Sequence, residues 1–176
     1  MKKKKDIGSV VEHSGSINSL DFFGTSHLLT GSEDGKLALF RTSDWECLHI
    51  FAHKTPVSSA AVHPSGKLAI SVSPKDKSLK IWNLVTGKPA GKAKTLFPVD
   101  RVIWSPSGSH FALQSERAVL VYAAAQTKEP VATYQPSTTR ILNTVFADEE
   151  TVFMAGEGSK LYIGKDGNIL EVDLEQ

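Results

Sequence analysis

His53-Lys-Thr-Pro-Val-Ser-Ser-Ala-Ala-Val62-His-Pro-Ser-Gly-Lys-Leu-Ala-Ile-Ser71, followed by Asp76-Lys-Ser-Leu-Lys-Ile-Trp82-Asn-Leu-Val-Thr-Gly87, decides the fold, because the same pattern returns three more times. The copy before it reads His13-Ser-Gly-Ser-Ile-Asn-Ser-Leu-Asp-Phe22, then His27-Leu-Leu-Thr-Gly-Ser-Glu-Asp-Gly-Lys-Leu-Ala-Leu-Phe40. A third runs through Arg101-Val-Ile-Trp104-Ser-Pro-Ser-Gly108 to Ala118-Val-Leu-Val-Tyr122, and a weaker fourth through Ile141-Leu-Asn-Thr-Val-Phe146 to Lys160-Leu-Tyr-Ile-Gly164. Phe22, Val62, Trp104 and Phe146 hold one repeat position, spaced by 40, 42 and 42 residues. A period of this size marks an architecture built from stacked copies of one supersecondary unit.

Within each unit the apolar residues alternate over short runs, as at Leu37 and Leu39 or Leu79 and Ile81, which is the period of a β-strand. Asp34-Gly35 and the Ser-Gly pairs at 65–66 and 107–108 supply the turns between strands. Each unit is therefore read as about four short strands. Such a unit cannot bury its own sheet faces and must stack on its neighbours, so the expectation is all-β, a β-propeller with about four blades present. The divisions expected are a basic segment at 1–12, repeats at 13–51 and 52–92, and degenerate repeats at 93–133 and 134–176.

Composition agrees with a globular chain: of 176 residues, 40% are hydrophobic and 22% charged, which excludes a disordered or collagen-like chain. The net charge of +1 provides no overall field toward nucleic acid or an anionic membrane, so any such contact is local. The longest nearly apolar run, Ala118 to Ala125, is far below the roughly 20 residues of a membrane-spanning helix. The start lacks the apolar core of a secretory signal. One cysteine, Cys47, cannot form an internal disulfide and fits a reducing, intracellular compartment.

The repeats resemble the WD-repeat family. Its leading Gly-His, turn Asp and terminal Trp-Asp are matched by Glu12-His13, Asp34 and Phe40-Arg41 in the first copy and by Ala52-His53, Asp76 and Trp82-Asn83 in the second. The resemblance implies a buried hydrogen-bonded set of His, Ser or Thr, Asp and Trp. His53, Ser71, Asp76 and Trp82 supply it in the second copy, whereas Phe40 lacks an indole N–H, so His13 and Asp34 form part of it. Trp104 and Tyr122 hold structural repeat positions in the third.

Over residues 1–107 the chain is further similar to the p21-activated-kinase-interacting WD-repeat proteins, relatives of a fungal ribosome-assembly factor. That resemblance implies a non-enzymatic scaffold in the nucleus and nucleolus, with the cytoplasm open to a shortened chain. Its implied roles are maturation of the large ribosomal subunit and negative regulation of a p21-activated protein kinase. The implied partners are pre-ribosomal assembly factors, the kinase and, through pre-ribosomes, RNA, with no membrane. Rings in this family most often have seven blades, so four copies read as a truncated ring ahead of a four-bladed closure or a dimer, and the alternative function is an inactive or interfering fragment or a generic protein-interaction platform.

No catalytic set, cofactor or metal site is expected. His49, His53 and His63 alternate across strand faces without a completing acid or thiol. The acidic pairs at 33–34 and 148–150 fall in turns, and Cys47 has no activating group. Gly31 to Gly35 lacks the lysine and the helix of a phosphate-binding loop. The residues that can contact a partner or RNA phosphates are Lys2, Lys3, Lys4, Lys5, Lys36, Lys54, Lys67, Lys75 and Lys77.

Overall fold

A computed structural model describes residues 12–138 and 140–173. Lys2 to Lys5 lie outside the described residues. Among the described residues, sixteen strands form four antiparallel sheets, each a meander of four consecutive strands. Sheet one holds β1 (Ile17–Phe23), β2 (His27–Ser32), β3 (Lys36–Arg41) and β4 (Cys47–Ala52). Sheet two holds β5 (Ser59–Val62), β6 (Leu68–Ser73), β7 (Ser78–Asn83) and β8 (Lys88–Lys94). Sheet three holds β9 (Arg101–Trp104), β10 (His110–Gln114), β11 (Val119–Ala123) and β12 (Ala132–Tyr134). Sheet four holds β13 (Ile141–Phe146), β14 (Val152–Gly156), β15 (Lys160–Lys165) and β16 (Asn168–Asp173). Strands β8 and β12 run slightly past the expected repeat ends at 92 and 133, because each remains hydrogen-bonded to the strand before it.

The register repeats with the sequence. Phe22, Val62, Trp104 and Phe146 stand opposite Leu28, Ala69, Phe111 and Val152 in the second strands. Those face Phe40, Trp82, Tyr122 and Gly164 in the third. The four sheets are therefore copies of one unit. They stack consecutively, because each inter-sheet core draws on two neighbours. Leu29, Leu37, Leu39 and Phe51 of sheet one pack with Val62, Ala69 and Trp82 of sheet two. Ile70, Val72 and Leu79 pack with Val102, Phe111 and Leu113 of sheet three, and Val119, Val121 and Tyr134 with Val152, Met154 and Tyr162 of sheet four. Each such aliphatic side chain contributes about 1.5–3 kcal/mol when fully buried, so stacking outweighs any single polar contact. The result is a partial β-propeller.

The inner strands β1, β5, β9 and β13 adjoin in that order around a common cleft. Ser19 Oγ accepts from Ala60 N at 2.9 Å and Ser59 Oγ accepts from Val102 N at 3.2 Å, so equivalent serines fasten each inner strand to the next. Gln114 Nε2 reaches Ile141 O at 3.2 Å and ties sheet three to sheet four.

Candidate functional site

The polar repeat residues fold into networks that differ between copies. In sheet one His13 Nδ1 donates to the Asp34 carboxylate at 3.2 Å, and Nε2 meets the Thr30 hydroxyl at 2.6 Å. Thr30 occupies the register position that Ser71 holds in sheet two. Burial pushes the Asp34 carboxyl up. Hydrogen bonds from Ser14 N, Lys36 N and His13 outweigh it and hold the group below its usual range. Phe40 is buried but contributes no donor.

In sheet two the expected set of four divides in two. Trp82 Nε1 donates to Ser71 Oγ at 2.8 Å, while Asp76 accepts from Ser78 Oγ at 2.6 Å and Thr55 Oγ1 at 3.1 Å. His53 meets this second group through Ser78 Oγ at 3.5 Å, and among the described residues its buried Nε2 makes no hydrogen bond. Burial, reinforced by the nearby Lys80 charge, pushes the His53 imidazole down, so it is neutral at neutral pH.

Sheets three and four replace this chemistry with packing. Leu113 and Met154 stand where Thr30 and Ser71 stood. Tyr122 stacks on Phe111 at 5.3 Å, and Trp104 lies edge-on to Phe111 and to His63 while its Nε1 donates to Ala61 O. At Gly164 an added Cβ meets the Tyr134 ring at 2.9 Å, so a ring from sheet three fills the volume that Trp82 fills in sheet two.

Turn-to-turn latches join the sheets on one side. Gly66 and Gly108 have φ of +69° and +80°, and a Cβ on them would strike Phe23 and His63 of the preceding sheet. The third latch reverses the chemistry. Glu149 accepts from Ser105 Oγ at 2.6 Å, Ser107 N at 2.7 Å and Ser109 Oγ at 2.6 Å, and these hydrogen bonds, the Ser105 hydroxyl first, hold its carboxyl down to about 2. Asp148 caps its own turn through Glu150 N and Thr151 N. The acidic turn is thus occupied structurally. His49, His53 and His63 also have separate tasks, with His49 against Phe51 and Gly87 and His63 against Trp104. Cys47 donates weakly to His49 O, and burial pushes its thiol up, away from the reactive thiolate.

Among the described residues, two surfaces gather charged side chains that these networks do not bury. On the side of the β2–β3, β4–β5 and β6–β7 turns, Lys36, Lys54, Lys75 and Lys77 are exposed, and Gly35, Lys54, Thr55 and Asp76 bring those turns together. Lys67 lies in the β5–β6 turn, so it is not part of that cluster. Spacing along the sequence did not select Lys80, Lys92 and Lys94, yet strand register brings them to the same rim. Lys80 Nζ donates to Ala52 O and His53 O, and Lys94 Nζ donates to Asp76 O. Burial pushes the Lys80 ammonium down, as do the charges of Lys54 and Lys92, with Asp76 opposing them.

The second surface is the cleft between the inner strands, about 410 Å³, with Asp21, Asp100, Arg101 and Arg140 among its lining residues. Burial pushes the Asp21 carboxyl up against its hydrogen bond from Val62 N and the charge of Arg101; burial likewise raises Asp100 against Arg140. The cleft therefore offers charges of both signs, without an arranged nucleophile and base.

The model of the WD domain, G-beta repeat, matches residues 4–41 and 45–83. Among curated relatives, the chain is 45% identical over 123 residues to the p21-activated protein kinase-interacting protein 1-like of Danio rerio, covering 69% of this chain and 33% of that protein. It is 40% identical over 158 residues to the protein of that name in Xenopus laevis, covering 89% and 43%. It is 30% identical over 149 residues to Protein MAK11 of Saccharomyces cerevisiae, covering 73% and 36%. The chain thus matches 33% to 43% of the length of these relatives.

Proposed function

Because this chain belongs to the WD-repeat family, we propose that it works as a non-enzymatic scaffold, whose stacked sheets hold loops and an inner cleft in fixed positions for protein partners. The observation that carries this reading is the internal engagement of its polar repeat and turn side chains. His13, Asp34, Ser71, Asp76, Trp82 and Glu149 are engaged within and between sheets, which leaves turns, rim and cleft as the binding surfaces. The partner we propose is a p21-activated protein kinase, bound through its regulatory region so that its activity falls. The kinase named in the Danio and Xenopus relatives supports this choice.

The test is a titration of the purified chain with the regulatory region of such a kinase, followed by a kinase assay at saturation. Saturable binding with reduced kinase activity is expected. No binding by a chain that melts cooperatively overturns the reading.

A second reading, a platform in large-subunit maturation within the nucleolus, is favoured by the lysine rim, since clustered ammonium groups engage RNA phosphates with release of counterions. Reversing Lys54, Lys75 and Lys77 to Glu then weakens association with pre-ribosomal particles and reduces its salt dependence. Unchanged association and unchanged salt dependence overturn it. Kinase binding, read separately, depends instead on a compact interface with a few apolar anchors and responds less to salt.

A further inference from the structure

Sheet two departs from the other three sheets at one register position. Lys80 on β7 and Lys92 on β8 stand directly opposite each other. The same position holds Ala38 opposite Ile50 in sheet one, Leu120 opposite Thr133 in sheet three and Tyr162 opposite Glu171 in sheet four. Ala38, Leu120 and Tyr162 are all buried, so the fold is served there by an uncharged side chain. Like charges directly opposite in a sheet are destabilising, and a packing rule broken in one copy of four marks a site. Lysines and a proline on an edge strand such as β8 are ordinary protection against pairing. Lys80 lies one strand in, where that purpose does not apply.

The charges gathered there meet little opposite charge. Lys80 Nζ donates to two neutral carbonyls, Ala52 O and His53 O. Lys54, exposed in the β4–β5 turn, adds a third ammonium group whose charge acts on Lys80. Its φ of +76° is the left-handed region in which glycine is less strained, so a long side chain is kept there at a cost. Among the described residues, the carboxylate that acts on Lys80 is Asp76, which already accepts from Ser78 and Thr55 and lies 3.8 Å from Lys94. Beside these charges runs a groove of about 480 Å³, lined by Lys80 and Lys92 together with Ala52, Trp82, Pro89 and Ala90. Ammonium groups and an apolar lining are thus combined in one concavity.

We propose that this groove binds an extended acidic segment of a protein partner, with carboxylates on Lys54, Lys80 and Lys92 and an apolar side chain against Ala52, Pro89 and Ala90. The proposal rests on the scaffold reading and names the partner chemistry at one of its surfaces. The segment lies over the groove and does not add a fifth strand, because the lysines and Pro89 of β8 resist edge pairing. RNA fits the groove less well. Single strands are held by bases stacked on exposed aromatic faces as well as by cations. Trp82, the aromatic ring in the lining, is 4% exposed and carries Lys80 Nζ 5.4 Å from its centroid, so it offers no such face.

The experiment is fluorescence anisotropy of the full chain with a labelled peptide of glutamates flanking a central leucine, and separately with a labelled uridine oligonucleotide of the same length. The variants are Lys80→Leu and Lys92→Thr, which copy the pair in sheet three, and Lys67→Thr, which removes a charge from the β5–β6 turn. Saturable peptide binding that weakens as salt rises is expected. It should be at least about tenfold weaker in Lys80→Leu and in Lys92→Thr, and within about twofold of the parent in Lys67→Thr. Urea midpoints should show Lys80→Leu at least as stable as the parent, which a purely structural lysine would not allow. Lys92 is exposed, so Lys92→Thr serves alone if Lys80→Leu does not fold. A parent chain that leaves the peptide unbound overturns the proposal, as does equal weakening by Lys67→Thr, which would reveal attraction by overall charge. Tighter binding of the oligonucleotide than of the peptide, lost in the same variants, assigns the groove to RNA and overturns it too. A chain that binds the kinase regulatory region yet fails these tests keeps the scaffold reading and loses this proposal alone.

Discussion

Truncating Trp82 to alanine is predicted to destabilise the chain by about 3–5 kcal/mol, since the ring is 4% exposed and its loss opens a cavity between sheets one and two. The same ring lies 5.1 Å from Phe51 of the neighbouring sheet and donates to Ser71, so packing and hydrogen bonding are separable. Trp82→Phe, which copies what sheet one holds at Phe40, keeps most of the packing but leaves the buried Ser71 hydroxyl without its donor. A cost of about 1–3 kcal/mol is expected for it. In a Ser71→Ala background the cost of Trp82→Phe shrinks by about 1 kcal/mol, the coupling that a double-mutant cycle isolates. Urea unfolding followed by far-UV circular dichroism reads these differences from midpoints at constant slope. If Trp82→Ala shifts stability by less than about 0.5 kcal/mol, which is the scale of an ordinary surface change, the indole does not join the two sheets and the reasoning fails.

Gly108→Ala is predicted to cost more than Gly24→Ala in the same assay. Both glycines have positive φ, worth about 1–2 kcal/mol to a residue with a Cβ, but only Gly108 faces His63; equal costs would remove the latch from the account. Glu149→Gln should flatten the acid limb of stability. The folded carboxyl is held down to about 2 from an ordinary 4.5, so its contribution is present above the ordinary value and lost as pH falls toward 2. A parent and variant with superimposable acid limbs would show that the serine turn does not hold this carboxylate. His53 acts in a higher window. Its folded imidazole is pushed below the ordinary 6.5, so the unfolded chain binds more protons and stability declines as pH drops through that value. His53→Gln should reduce this decline, measured as urea midpoints between pH 7.5 and pH 5.5.

The strand positions were legible in the sequence because they repeat. The spacing of Phe22, Val62, Trp104 and Phe146 returned one register position in four sheets, and Phe40, Trp82, Tyr122 and Gly164 returned another. Thr30 aligns with Ser71 by the same offset, although Phe40 offers it no indole donor, so the motif is incomplete in that copy. Ser78 and Thr55 were not legible, because the partners of Asp76 depend on how the turn closes. The latch at Glu149 was hidden for a different reason: acidic turns are usually solvated, and only stacking shows that this one meets the Ser105 to Ser109 turn. Lys80, Lys92 and Lys94 read as ordinary strand residues until β7 and β8 place them beside Lys54 and Asp76. The four charges of the cleft lie on three different inner strands or the loops leading into them, and no local pattern in the chain brings them together.

The scaffold claim is tested most directly by affinity capture of the tagged chain from cells, washed at two salt concentrations, with the retained proteins identified by mass spectrometry. The account predicts a p21-activated protein kinase retained at both salts, and large-subunit assembly factors retained at low salt and shed at high salt. Recovery of chaperones alone at both salts would contradict it.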